Sequence, residues 1–375
     1  MTHPAFELEP GLIYLNHAGV GPWPRCTKEA VTRFAEENSR LGATHYSDWL
    51  KVESRLRERI RQLLNAPSTE DIALVKNTSE AISFVALGLD WQPGDNVVTS
   101  TEEFPSNRIP WQALQEQGVE LREADLSRAD TPEDALFDLV DRHTKLITIS
   151  SVQYATGRRM NLERIGEFCR RRGILFCVDA IQSLGALQAD VQAWRADFVM
   201  ADGHKWLLAP EGLGLFYTTP EARDRLRLLE YGWHMVEHAG DYDRRDWLPA
   251  KSARRFECGS PNFLGIFGLE ASLGLLLELG MRPVETQVLE RAAYLIERIQ
   301  RDDRLHLVTP ADRHAGIVTF RPKTGDVTKL YQFLRRQKVI CAPRGGGIRF
   351  SPHFHNDPAQ LDRALASVIQ GMGQA

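Results

Sequence analysis

Between Asp71 and Tyr217 the chain repeats one pattern, in which short apolar runs alternate with helical stretches. The runs read IALV, NVVTS, VELREA, KLITISSV and ILFCVDA, with helical patterns between them. A continuously apolar run such as Ile174 to Val178 is the pattern of a strand covered on both faces. Strand and helix in alternation predict a mostly parallel sheet with helices on both sides, an α/β fold. Residues 25 to 65 carry recurring apolar positions (Val31, Phe34, Leu56, Ile60, Leu63) and predict helices with a loop near Gly42. Phe263 to Leu279 reads as a buried helix, and the later runs LHLVTP, GIVTFRP and KVICAP predict a small α+β unit. The expected organisation is an entry segment, 1–24, a large domain, 25–262, and a small C-terminal domain, 263–375.

Within the alternation, residues 174 to 217 constrain the chemistry most. Asp179 closes the run ILFCV. Phe198 to Met200 reads as the core of the next strand, the turn Ala201-Asp202-Gly203-His204-Lys205 follows it, and Gly214 to Tyr217 reads as a third strand. In an open α/β sheet, ligands sit beyond the carboxyl ends of the strands. A carboxylate and an amine delivered there by neighbouring strands suit pyridoxal phosphate. The lysine forms a Schiff base with its aldehyde, and the aspartate keeps the pyridinium nitrogen protonated so that the ring acts as an electron sink.

This run resembles the cofactor region of the class V aminotransferase family, the fold-type I pyridoxal phosphate enzymes. That family includes cysteine desulfurases, selenocysteine lyases, kynureninases, isopenicillin N epimerase-like proteins and C–S lyases. The resemblance implies a large domain with a mostly parallel central sheet and a small α+β domain. It makes Lys205 the Schiff-base lysine and Asp179 the pyridinium partner. Gln182 would hydrogen-bond the cofactor's 3′-oxygen, and His204 matches the position before the lysine.

Further segments carry the likeness along the chain. Lys76-Asn77-Thr78-Ser79-Glu80 follows IALV and opens a helix. Taken alone it is an N-cap or an anion site. By resemblance it is the phosphate-binding turn, with Thr78 and Ser79 as its hydroxyls. Phe256-Glu257-Cys258-Gly259-Ser260-Pro261-Asn262 resembles the segment whose hydroxyl, here Ser260, reaches the phosphate of a neighbouring subunit's cofactor. That implies a homodimer with shared active sites. Thr101-Glu102-Glu103-Phe104-Pro105 resembles the segment that stacks a side chain on the pyridine ring. Desulfurases carry His there. Phe104 can stack and exclude water but cannot transfer a proton. In this segment and in Gln153-Tyr154-Ala155-Thr156-Gly157 the chain is closer to the kynureninases and epimerase-like proteins. Thr156 and Tyr154 are expected near the cofactor face.

Arg349, in RGGGIRFSPHFHN, matches the arginine that binds the substrate α-carboxylate, a task suited to the guanidinium fork. Arg344 and Arg158 are alternative anion binders. Asn16 and His17, in YLNHAGVGPWP, resemble residues that approach the substrate, and Trp233, His234 or His238 could line its pocket. Where desulfurases place Ser or Thr as a phosphate ligand, this chain has Asp202. A carboxylate repels a phosphate, so Asp202 is expected to point away and accept backbone hydrogen bonds. Cys341 sits in a strand-like context, unlike a desulfurase nucleophile on a mobile loop.

The implied activity is pyridoxal-phosphate chemistry on an α-amino acid through an external aldimine and α-carbanion, of epimerase, C–S lyase or aminotransferase type. The alternatives are cysteine desulfurase or selenocysteine lyase, or a cofactor-binding accessory subunit without turnover. A net charge of −4 offers no electrostatic case for nucleic acid or an anionic membrane. Five widely spaced cysteines without a CxxC argue against a disulfide framework or a zinc site, and no metal is expected. No signal-peptide pattern opens the chain, so the expected location is cytoplasmic.

Overall fold

The computed structural model describes residues 4–373; residues 1–3 of the expected entry segment and 374–375 lie outside the described residues. Thirteen strands form among the described residues. In chain order they are β1 (Ile13–Tyr14), β2 (Ile72–Val75), β3 (Asn96–Ser100), β4 (Glu120–Ala124), β5 (Thr144–Ser150), β6 (Leu175–Asp179) and β7 (Phe198–Asp202). The others are β8 (Gly214–Thr218), β9 (Leu305–Leu307), β10 (Val318–Pro322), β11 (Val339–Ile340), β12 (Ala342–Arg344) and β13 (Gly347–Phe350). Seven make the central sheet, in the order β2-β8-β7-β6-β5-β3-β4. β8 runs antiparallel to both its neighbours, and every other pair in the sheet is parallel.

The unbroken apolar runs have a direct physical cause. Side chains alternate across a strand, and here each face of the sheet has its own core. From β6, Phe176 and Val178 enter one core and Leu175 and Cys177 the other. From β7, Val199 and Ala201 join the first, and Phe198 and Met200 the second. Both faces demand apolar residues, so no polar alternation survives in the sequence.

The helix Phe263–Leu279 is apolar around most of its circumference because its neighbours enclose it. The helices Arg25–Leu41 and Tyr46–Leu64 pack on it. Gly268 lets it also pack on the loop after β7, since a Cβ there would meet Pro210 Cδ at 2.6 Å and Val31 Cγ2 of the first of these helices at 3.2 Å. This helix therefore belongs with the large unit, and the expected boundary at 263 shifts. Along the next helix, Met281–Gln300, Val284 and Val288 join the large core while Ala292, Leu295, Ile296 and Ile299 join a separate small one. The small unit is an antiparallel sheet, β12-β13-β10-β9. The entry segment also contributes to it, because β1 pairs in parallel with β11 and brings Ile13 and Leu15 into the small core. No single helix among the described residues is long and apolar enough to cross a membrane.

Candidate active site

β6 and β7 are adjacent and parallel, with Asp179 opposite Met200. Their carboxyl ends therefore open side by side, and Asp179 and Lys205 meet in one cavity of about 270 Å³. The strand β7 runs through Asp202, two residues beyond the expected core, and the turn to Lys205 starts at Gly203. That turn is tightly held. Ala209 N–H donates to Gly203 O, and Leu208 N–H to Lys205 O. Leu208 takes a left-handed φ of 60°, a cost most residues avoid and one that clusters at functional sites. Gly21 N–H donates to His204 O at 2.7 Å, and a Cβ on Gly21 would stand 2.3 Å from Lys205 O. Only glycine lets the entry segment close over this turn.

Burial shapes both charges. It pushes the Asp179 carboxyl up to about 7, against a hydrogen bond from Ile181 N–H and with the nearby Glu103 adding to the rise. Burial also pulls the Lys205 amine down to about 8. Asp179 opposes that fall, and Arg349 and Arg344 reinforce it. Lys205 Nζ lies 5.6 Å from the centre of the Phe104 ring, which meets Tyr154 edge-on at 5.1 Å. Phe104 thus walls the cavity beside the amine.

One end of the cavity is built for an anion. Asn77 caps the helix Thr78–Gly88 by accepting from Glu80 N–H at 2.9 Å. Thr78 Oγ1 is buried there without a hydrogen-bond partner, and Ser79 Oγ donates to Ser106 Oγ at 2.8 Å. All four residues line the cavity. Sequence reasoning had singled out only Thr78 and Ser79. Ser106 lies two residues past Phe104, and nothing local in the sequence shows that its hydroxyl turns toward Ser79. An orphaned buried hydroxyl at a helix N-terminus fits a cofactor phosphate.

Gln182 also lines the cavity, held by Trp206 Nε1–H donating to its Oε1 at 2.9 Å and by its own Nε2 donating to Ala18 O at 3.2 Å. His204 lies beside Asp202, with His204 Nδ1 and Asp202 Oδ1 3.0 Å apart. Asp202 therefore faces the cavity and accepts no backbone hydrogen bond among the described residues, contrary to expectation.

Arg349 comes from β13 and is only 3% exposed. Nη1 donates to Tyr154 O at 2.7 Å, Nη2 reaches Asn16 Oδ1 at 3.5 Å, and Nε has no partner. No carboxylate among the described residues pairs with it. Burial and the neighbouring Arg344 pull its pKa down to about 10. A buried guanidinium without an acid partner is costly, and it awaits an anion. Arg158, the other alternative, pairs with Glu102 at 3.1 Å.

Other expected residues are placed differently. Thr156 does not line the cavity; its hydroxyl donates to Glu102 Oε2 at 2.6 Å, and Glu102 also accepts from Arg158 Nε. His17 is fully buried outside the cavity lining, with Nδ1 on Ser351 O at 2.8 Å and Nε2 on His355 Nε2 at 2.9 Å. Burial drives its pKa well below the usual histidine range. Asn16 stands behind Arg349 rather than in the wall. Ser260 is exposed beside a second, smaller cavity of about 150 Å³. Trp233 and His238 line a separate cavity of about 490 Å³ within residues 231–248, and His234 is turned to Glu257 O at 3.3 Å. Cys341 is buried, its thiol pushed up to about 12.

Glu103 escaped sequence reasoning. It is buried and accepts hydrogen bonds from Ser150 N–H, Ser150 Oγ, Gln153 Nε2 and Asn107 Nδ2. It locks the Phe104 segment onto the end of β5. A Glu-Glu pair before Phe-Pro carried no hint of which carboxylate turns inward.

The profile of the family described as aminotransferase class-V matches residues 13–356. A probable cysteine desulfurase of Methanothermobacter thermautotrophicus is 31% identical over 96% of this chain and 95% of that protein. An uncharacterized aminotransferase of Bacillus subtilis, YcbU, is 27% identical over 87% of this chain and 85% of its own length. The Escherichia coli cysteine desulfurase CsdA superposes with a TM-score of 0.87 at 22% identity, covering 98% of this chain and 96% of that one. The cystine C–S lyase C-DES, in complex with its product cysteine persulfide, superposes with a TM-score of 0.89 at 23% identity, covering 96% and 97%. At such identities the structural likeness speaks for the fold.

Proposed function

The chain belongs to the class-V aminotransferase family and is a pyridoxal-phosphate-dependent enzyme, and from that premise we propose that it removes the α-proton of an amino acid with Lys205 as the base. One observation carries the reading. A buried amine lowered to about 8 and a buried guanidinium without an acid partner face the same small cavity.

The bound cofactor supplies an electron sink for the pair left on the α-carbon. The residues of the chain do the rest. Lys205 holds the cofactor's aldehyde, and Asp179 holds a proton at the ring nitrogen. Thr78 and Ser79 take the phosphate, with Ser106 and Asn77 beside them. Gln182, fixed by Trp206, and Phe104 line the same cavity, where Gln182 would supply a hydrogen bond to the cofactor and Phe104 would exclude water from it. Arg349 grips the α-carboxylate and so orients the α-C–H bond. Phe104 carries no titratable atom, so the Lys205 amine is the group placed to take and return that proton.

Two relatives are named for C–S bond chemistry on cysteine or cystine, which favours a sulfur amino acid and cleavage at Cβ. Desulfuration onto a protein thiol is the second reading. It needs a thiolate in the cavity, yet none of the five cysteines lines it and Cys341 is buried. Incubation with L-amino acids, cysteine and cystine among them, tests both. Pyruvate with a sulfur product, a D-epimer, or α-deuterium uptake from D2O supports the proposal. Alanine with a persulfide on Cys341, abolished by Cys341→Ala, would replace it with desulfuration.

We also propose a cytoplasmic homodimer. All five cysteines are free, as in reducing compartments, and fewer than five titratable thiols in the unfolded, unreduced protein would count against that. Tyr231, Trp233, Tyr242, Trp247 and Leu248 are exposed together, and such aromatic patches mark interfaces. Gly232 abuts Cys258, two residues before the exposed Ser260. Sedimentation equilibrium should give a mass near twice that of one chain, and a monomer at micromolar concentration would sink the dimer.

A further inference from the structure

Two cations of the cavity come from one face of the small sheet. In the β12–β13 hairpin Ala342 lies opposite Arg349 and Arg344 opposite Gly347. Side chains alternate along a strand, so Arg344 shares the face of Ala342 and Arg349 and is Arg349's diagonal neighbour. Both arginines line the cavity with Lys205. The turn between the strands fixes this arrangement. Gly345 and Gly346 both have positive φ, 59° and 70°, as a type I′ turn requires. Gly345 also packs close to Ala155 O, which a Cβ would approach to 3.1 Å. The hairpin tip is thereby set against the wall of the large unit.

Like charges placed this way repel unless an anion lies between them. Arg344 depresses Arg349, and both depress Lys205. Asp179 and Asp202 offset this at Lys205, but no acid among the described residues forms an ion pair with Arg344 or Arg349. Arg344 donates only to its neighbour Pro343 O, and Arg349 holds Tyr154 O and reaches Asn16. Of the two aspartates of the cavity, Asp179 accepts from Ile181 N–H and Asp202 lies beside His204, and neither pairs with an arginine among the described residues. A substrate's α-carboxylate brings one negative charge, and the buried fork of Arg349 suffices for it. Arg344 is left over, charged, at the mouth of the same cavity.

We propose that Arg344 is a specificity residue that binds an acidic side chain, so that the substrate class is an α-amino acid whose side chain ends in an anion. The proposal rests on the α-proton chemistry proposed above. Arg344 is exposed, so the pair it forms is partly screened by salt.

The test compares isosteric pairs, L-aspartate with L-asparagine and L-glutamate with L-glutamine, together with L-cysteine sulfinate and L-cysteine. The holoenzyme is followed by α-deuterium uptake in D2O and by the cofactor spectrum. In the wild type an acidic member is expected to exceed its neutral isostere in kcat/KM by about tenfold or more, less at high salt. Arg344→Gln should bring that ratio to within about threefold of one. Equal or better use of the neutral members by the wild type overturns the proposal and leaves the α-proton chemistry standing. So does an equal loss on every amino acid in Arg344→Gln, which would mean that Arg344 shares the α-carboxylate. No uptake and no spectral change with any amino acid overturns both.

Discussion

Lys205→Ala is expected to abolish the visible absorbance of lysine-bound pyridoxal phosphate and to lower turnover of any amino acid by at least about 10³-fold, the weight of a general base. The amine has two tasks here, to hold the cofactor and to move the α-proton, and Phe104 beside it can do neither. The same residue sets a pH dependence. Lysine attacks an aldehyde only as the free amine. At pH 7 an amine of pKa about 8 is roughly one-tenth free, against roughly one in 2,500 for an ordinary lysine. Reconstitution of apoenzyme with the cofactor should therefore quicken about tenfold per pH unit up to about pH 8 and then level off. A rate still climbing at pH 10 would mean an unperturbed lysine, and a variant that keeps its absorbance band would remove Lys205 from the role.

Arg349→Ala should lower kcat/KM for an α-amino acid by roughly 10² to 10³-fold, the cost of leaving a desolvated carboxylate without its partner. KM rises because the carboxylate loses its anchor. The value of kcat falls because the α-C–H bond is no longer held in line with the ring. Arg349→Lys should recover little, since an ammonium cannot replace the two-toothed fork. Unchanged kinetics would pass the carboxylate to Arg344. Stability supplies an independent readout. Arg349 is buried without an acid partner among the described residues, so Arg349→Met should raise the melting temperature of the protein free of substrate. A lower melting temperature would mean that its bonds to Tyr154 and Asn16 outweigh the cost of burial.

Much of this site is legible in sequence because its key residues end strands. Asp179 closes β6 and Lys205 follows β7 by three residues. A run of apolar residues reports a strand, and the parallel α/β rule says what lies past its carboxyl end. Thr78 was visible for the same reason, at the start of a helix after β2. The surroundings of Thr156 and His17 were not legible, because their side chains answer to distant partners. Glu102 claims Thr156 from 54 residues away, and His355 claims His17 from 338 away. Glu103 and Ser106 escaped for the converse reason, since a loop sequence does not say which side chains turn inward.

By itself, then, the sequence determined the α/β class, which is written in local periodicity, while its resemblance to the class V aminotransferases implied the cofactor and pointed to Asp179 and Lys205 at strand ends. Tertiary structure alone decided which polar groups remain unpaired. Arg349 lacks an acid and Thr78 lacks a partner only after every neighbour has chosen its own. The same holds for the entry segment, whose β1 joins the small core while Gly21 closes over the lysine turn. Hydrogen-bond satisfaction and close packing are properties of the whole folded chain, and no window of sequence contains them.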